Sequence, residues 1–199
     1  MGIDIAEVKR LKDLTGVGLT DAKKALEDAK GDFDAALAEM RKKGLTKAEK
    51  RGEKEAREGQ IGVYNHDGRI GVLVELNCET DFVARGEAFA ELLKDVAMHI
   101  AASAPLYVSS DDIPEADREK VKAEFVEKAT AEGKSADMAE KIVDGQLKKY
   151  FAERCLMDQP FVKNPDITVA DHVKQGAALM NENVVVRRFE RMALGEVAE

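Results

Sequence analysis

An α+β fold is what this sequence predicts: a three-helix module at the N-terminus, then a core of small antiparallel sheet with helices. Three observations carry the prediction. Through the first 44 residues, apolar side chains recur at helical spacing between glycines. From Gln60 to Asn77 the period falls to two on either side of Asp67-Gly68, and Asp-Gly between alternating runs is the strongest short-range signal for a hairpin. Helical patterns then fill the chain until alternation returns at 183–192, where a strand can join the hairpin sheet. The expected division is a module at 1–44, a charged linker at 45–58 and an α+β core at 59–199.

In the module, Ile5, Val8 and Leu11 fall on one face of a first helix that ends at Thr15-Gly16-Val17-Gly18. Thr20 is the expected N-cap of a second helix with Ala22, Ala25, Leu26 and Ala29 on its apolar face; Gly31 closes it and Asp32 caps the third. The third buries Phe33, Ala36, Leu37 and Met40 and is expected to stop at Gly44. Small residues let such helices approach closely around a thin core. Residues 45–58 are almost all charged or small, which fits a solvated helix or a flexible connector. On the second hairpin strand Ile70, Val72, Val74 and Leu76 share one face, and Gly71, Leu73, Glu75 and Asn77 the other.

Three helices are expected next. The first, at 88–103, packs Phe89, Leu92, Leu93, Val96 and Ile100; one opened by Pro114 carries Val121, Phe125 and Val126. The last runs from Ser135 to about Leu156 with Met138, Ile142, Leu147 and Phe151. Pro160 and Pro165 mark an irregular stretch, and Thr168-Val169-Ala170-Asp171 is a capping-box-like start to a short helix reaching Met180. Val184, Val186 and Phe189 belong to the returning strand.

Composition narrows the function. Hydrophobic residues make up 44% of the 199, but only 5% are aromatic and none is Trp, so Leu, Val, Ile, Ala and Met must fill most of the core. A net charge of -8 argues against nucleic acid as the main partner, because phosphate neutralisation needs a basic face. Cys78 and Cys155 form no CxxC pattern and read as two reduced thiols rather than a disulfide or metal site. Met1–Arg10 has no signal-peptide pattern, and no apolar run approaches the roughly 18–20 residues of a membrane span; a cytoplasmic protein without membrane contact is expected.

Motifs for phosphate loops, dinucleotides, zinc proteases and nucleophile elbows are missing. His66, His99 and His172 share no ligand spacing; His99 reads as a satisfied residue of an apolar helix and His172 as structural. The carboxylates lie mostly on amphipathic helices, where a solvated face is ordinary. The expectation is a protein that binds, with no catalytic residues, no metal and no cofactor.

One stretch stands out, Asn77-Cys78-Glu79-Thr80-Asp81-Phe82-Val83-Ala84-Arg85, which leads from a strand into a helix. Two readings are open on physical grounds. The junction presents Asp81 and Phe82 outward together, or Thr80 or Asp81 caps a helical turn while Phe82 folds back into the core.

The segment Asn77–Ala84 resembles the signature of the elongation factor Ts family, as does Leu14-Thr15-Gly16-Val17-Gly18-Leu19-Thr20-Asp21-Ala22-Lys23-Lys24-Ala25-Leu26. The resemblance continues in family order through 68–75, 97–102, Gln159-Pro160-Phe161-Val162 and Arg188-Phe189-Glu190-Arg191. It implies a ubiquitin-associated-like N-terminal module and a guanine-nucleotide exchange factor that binds elongation factor Tu in its GDP form. It implies that Asp81 and Phe82, between Thr80 and Val83, enter the partner's nucleotide domain, Phe82 as an apolar wedge that disturbs the Mg²⁺ site. Leu19 and Lys23 match contact positions of the module. His66 matches a contact position in the second core subdomain of longer members. This chain has one hairpin-plus-helices unit, similar to short members that use two copies, which implies a homodimer. The competing reading is a non-exchanging adaptor protein.

Overall fold

The computed structural model describes residues 4–131 and 136–196, and the side chains among these outside 45–50 and 136–141. The chain forms two compact units, Met1–Met98 with Asp171–Glu199, and His99–Ala170.

The first unit begins with α1 (Ile5–Thr15), α2 (Leu19–Asp28) and α3 (Phe33–Arg51). Val8, Leu11, Ala22, Ala25, Leu26, Ala36 and Met40 form a closed cluster, with Val17, Ala29, Phe33 and Leu37 packed against it. Asp4 caps α1 by accepting from the Ala6 N–H at 2.9 Å, and Asp32 caps α3 by accepting from the Ala35 N–H at 3.0 Å. Gly16 ends α1 at φ 66°, where an added Cβ would lie 2.2 Å from the Leu179 carbonyl oxygen; only glycine meets both demands. Three details differ from the sequence reading. Ile5 is exposed, at the first turn of its helix. Gly18, rather than Thr20, is the N-cap of α2, because its extended backbone already turns the chain into the helix. Gly44 does not stop α3, which runs on to Arg51; one glycine in a helix costs only about 1 kcal/mol.

The sheet follows: β1 (Glu58–His66), β2 (Ile70–Cys78) and β5 (Val185–Ala193) in the order β1-β2-β5, all antiparallel. Asp67 and Gly68, at φ 51° and 69°, make the two-residue turn, and the returning strand joins β2 as expected. Val72, Val74 and Leu76 are buried on one face. Against them lies α5 (Glu87–Ser103), whose Leu93 fills the place where Gly62 of β1 has no side chain. α8 (Val169–Met180) presents Gly176 to Leu92 of α5 in the same way. Between β2 and α5 sits the single turn α4 (Asp81–Ala84).

The second unit pairs α6 (Glu115–Ala131) with α7 (Ala136–Ala152). The anticipated start at Ser135 and the side chain of Met138 lie outside the described residues; α7 ends four residues before Leu156. Here the chain concentrates its rings. Phe125 and Tyr150 meet edge to face at 5.6 Å, Tyr150 and Phe151 at 5.2 Å, and the Arg154 guanidinium lies 3.6 Å from the Tyr150 centroid. The Tyr107 hydroxyl donates to Asp117 at 2.8 Å, and burial together with that carboxylate pushes its pKa up to about 12. The proline-marked stretch is not irregular: β3 (Pro160–Phe161) and β4 (Asn164–Thr168) form a small hairpin. His99 is fully buried; the Val162 N–H donates to its Nδ1 at 3.2 Å, leaving Nε2 to donate to Gln159 Oε1 at 2.9 Å.

Candidate partner-binding surface

The Asn77–Arg85 segment folds as a strand end, a cap and one helical turn. Cys78 closes β2 and is buried, its Sγ donating to the Thr80 carbonyl at 3.1 Å; burial pushes its thiol up, away from the reactive thiolate. Thr80 then takes extended backbone and caps α4, its hydroxyl accepting from the Val83 N–H at 3.4 Å. One turn of capped helix places Asp81 and Phe82 side by side at the surface. Both earlier readings are met in part: Thr80 is a cap, and Phe82 does not fold inward. Its ring is 83% exposed, on a chain whose other phenylalanines are buried or half-buried. Asp81 pairs with Arg85 at 3.0 Å in solvent, a contact that contributes little to stability.

Glu182, outside the stretch that stands out in the sequence, holds this turn from behind together with Glu79. The Glu182 carboxylate accepts from the N–H groups of Glu79 and Thr80, both at 3.1 Å, and from the Thr80 hydroxyl at 2.6 Å. The Glu79 carboxylate accepts from the Asn183 N–H at 2.7 Å, from Arg51 Nε at 3.0 Å and from Lys54 at 3.4 Å. Partial burial acts to raise the Glu79 pKa, but the Asn183 N–H and the two cations outweigh it and hold the carboxyl below its ordinary range. The available signal was an Asn-Glu-Asn run between a helix and a strand, which by itself names no partner.

The other anticipated residues lie elsewhere. Leu19 and Lys23 sit one turn apart on the exposed face of α2, with Lys23 3.8 Å from Glu27. His66 is exposed at the hairpin tip, 3.1 Å from the Tyr64 hydroxyl. The nine-residue β2 separates that tip from the Asp81–Phe82 turn, about 26 Å at the usual rise per residue. His172, in α8, pairs with Asp95 at 3.1 Å. Among the described residues no group of three or more His, Cys, Asp or Glu could hold a metal ion. No helix among the described residues is long and apolar enough to cross a membrane.

The uncovered face of the sheet is also apolar. Ile61 and Val63 of β1, Leu73 of β2 and Met192 of β5, with Leu194 just beyond it, are exposed; Val63 and Met192 are 75% and 77% accessible. Val63 stands opposite Leu73, and Arg188 meets Glu75 at 2.8 Å on the same face.

A small α+β protein that displays a bare aromatic ring on a capped turn has the form of a binding factor. The family model described as "Elongation factor TS" matches residues 6–196. The chain is 50% identical over 197 residues to the elongation factor Ts of Syntrophus aciditrophicus (strain SB), covering 98% of both chains. It is 48% identical to that of Geobacter sulfurreducens, covering 100% of this chain and 93% of that one, and 51% identical to that of Synechococcus sp. (strain WH7803), covering 96% and 89%. The chain belongs to the elongation factor Ts family.

Proposed function

We propose that this protein is the guanine-nucleotide exchange factor of translation elongation: it binds elongation factor Tu in its GDP form, in the cytoplasm, and promotes release of GDP and Mg²⁺ so that GTP can bind. The observation that carries this reading is the exposure of Phe82 beside Asp81 on a turn fixed by backbone hydrogen bonds. A GTPase holds its nucleotide through phosphate and metal contacts. A factor that favours the distorted, empty site weakens GDP by the factor by which GDP weakens it, because coupling is reciprocal. No covalent step is required. Phe82 acts as the wedge, and its burial in the partner contributes roughly 2 kcal/mol. Asp81 supplies orientation, while Thr80 and Val83 shape the turn. Leu19 and Lys23 grip the same partner from the module, and His66 adds a contact at the hairpin tip.

Residues 1–44 act as a separable module and 59–199 as the core, with 45–58 joining them; the closed apolar cluster within 1–44 supports this. The protein works as a homodimer through the outer sheet face, where Ile61, Val63, Leu73, Met192 and Leu194 lie bare. A second copy covers that face, and a twofold axis lets the same surface meet itself. Release of a fluorescent GDP from elongation factor Tu, with and without the protein, tests the function. Acceleration supports exchange; binding without any change in the off-rate favours an adaptor and overturns it. Sedimentation at micromolar concentration separates the dimer from a 21.8 kDa monomer.

A further inference from the structure

We infer that Glu182 is a positioning residue for the Asp81–Phe82 turn, with Glu79 as its counterpart, an inference that rests on the exchange reading above. α4 has only four residues, too few to sustain a helix unaided, because the first turn fixes several dihedrals for one hydrogen bond. Nor can Phe82 anchor the turn, since its ring is exposed. Gln60 Nε2 holds the end of the turn by donating to the Ala84 carbonyl at 2.8 Å, and a buried carboxylate holds its start. Glu182 receives two successive N–H groups on one oxygen, Oε2, and the Thr80 hydroxyl proton on the other, Oε1. Because the hydroxyl donates to Glu182, its lone pairs are left to accept from the Val83 N–H. Glu182 thus orients the cap that starts the turn.

The clamp is reciprocal. The Glu79 N–H donates to Glu182, and the N–H of the next residue, Asn183, donates to Glu79. The Asn183 side-chain amide in turn donates to the carbonyls of Gly52 and Lys54, at 3.3 and 2.6 Å, and Arg51 reaches Glu79. Three segments, 51–54, 79–80 and 182–183, close one network behind the displayed pair. A turn held this way is ordered before the partner arrives, so ordering entropy is not charged to binding.

Glu182→Gln is the main probe. If its amide oxygen takes the two N–H groups, its NH₂ faces the Thr80 hydroxyl and reverses the direction of that bond. GDP release is followed against factor concentration, giving a maximal rate and a half-saturating concentration. The expected result is a fall in exchange efficiency of roughly tenfold, the size of a lost cap, with the thermal transition still cooperative. In a Phe82→Ala background the same change should have less than about a twofold effect, because the displayed ring is already gone. Undiminished exchange by Glu182→Gln, or an equal loss in both backgrounds, overturns the proposal. Should Glu182→Gln fail to fold, Thr80→Val stands in for it, with Thr80→Ser expected to restore exchange; failure of that rescue is adverse. Amide hydrogen exchange of the free protein separates this idea from the exchange reading. Residues 79–84 should lose protection in Glu182→Gln while β1 and β2 keep theirs, whether or not the wild type releases GDP. Unchanged protection at 79–84 sinks the positioning role alone.

Discussion

Phe82 and Phe151 are the same side chain under opposite rules. In the His99–Ala170 unit, Phe151 is 8% exposed and sits against Tyr107 and Tyr150, so the ring gives the unit its shape. In the other unit, Phe82 is 83% exposed and hydrogen bonds around it give the turn its shape. A packed ring stabilises its own fold. A bare ring leaves its apolar area for another molecule, and polar groups must then supply the order that packing would have given.

The contrast can be broken by mutation. Phe151→Ala should cost about 3–5 kcal/mol by leaving a cavity, seen as a large drop in the thermal midpoint with normal exchange by the folded fraction. Phe82→Ala should change stability by less than about 0.5 kcal/mol and yet reduce exchange roughly thirtyfold, the equivalent of the 2 kcal/mol of ring burial lost at the partner. A large fall in the midpoint for Phe82→Ala would erase the distinction.

Smaller effects sharpen it. The Tyr107 phenol is raised from 10.0 to about 12, by burial first and by Asp117 second. A raised pKa stabilises the folded state fully below 10.0 and loses that contribution as pH climbs towards 12. Tyr107→Phe should cost about 1 kcal/mol at neutral pH and flatten the stability profile between pH 10 and 12 in urea titrations. The Glu79 carboxyl is lowered from 4.5, so its contribution is present above 4.5 and is lost as pH falls through the lowered value. Glu79→Gln should therefore remove part of the acid sensitivity below pH 4.5, by no more than about 1 kcal/mol. A wild-type profile in the Glu79 variant would mean the network is not coupled to folding.

How much could be read beforehand follows from the range of the interactions. The hairpin, the returning strand and the face of Val72, Val74 and Leu76 are written in local alternation, and they formed as expected. The Asp32 cap and the glycine turns are equally local. Gly44 was misread because a glycine's helical penalty is small enough for neighbouring turns to carry it. The prolines at 160 and 165 hid a hairpin too short to alternate. At the site, the capping role of Thr80 was legible and the exposure of Phe82 was left open, since a junction of strand and helix can send that ring either way. Glu182 was invisible because its contacts span 102 and 103 residues, and no local pattern records them.

That span has a temporal side. A chain emerging from the ribosome exposes Glu79 and Thr80 more than one hundred residues before Glu182 follows, and closing so long a loop is among the slower steps of folding. Until then the Glu79 and Thr80 N–H groups lack their carboxylate partner. The clamp behind the turn therefore closes only once the residues just ahead of the last strand, which pairs with β2, have been made.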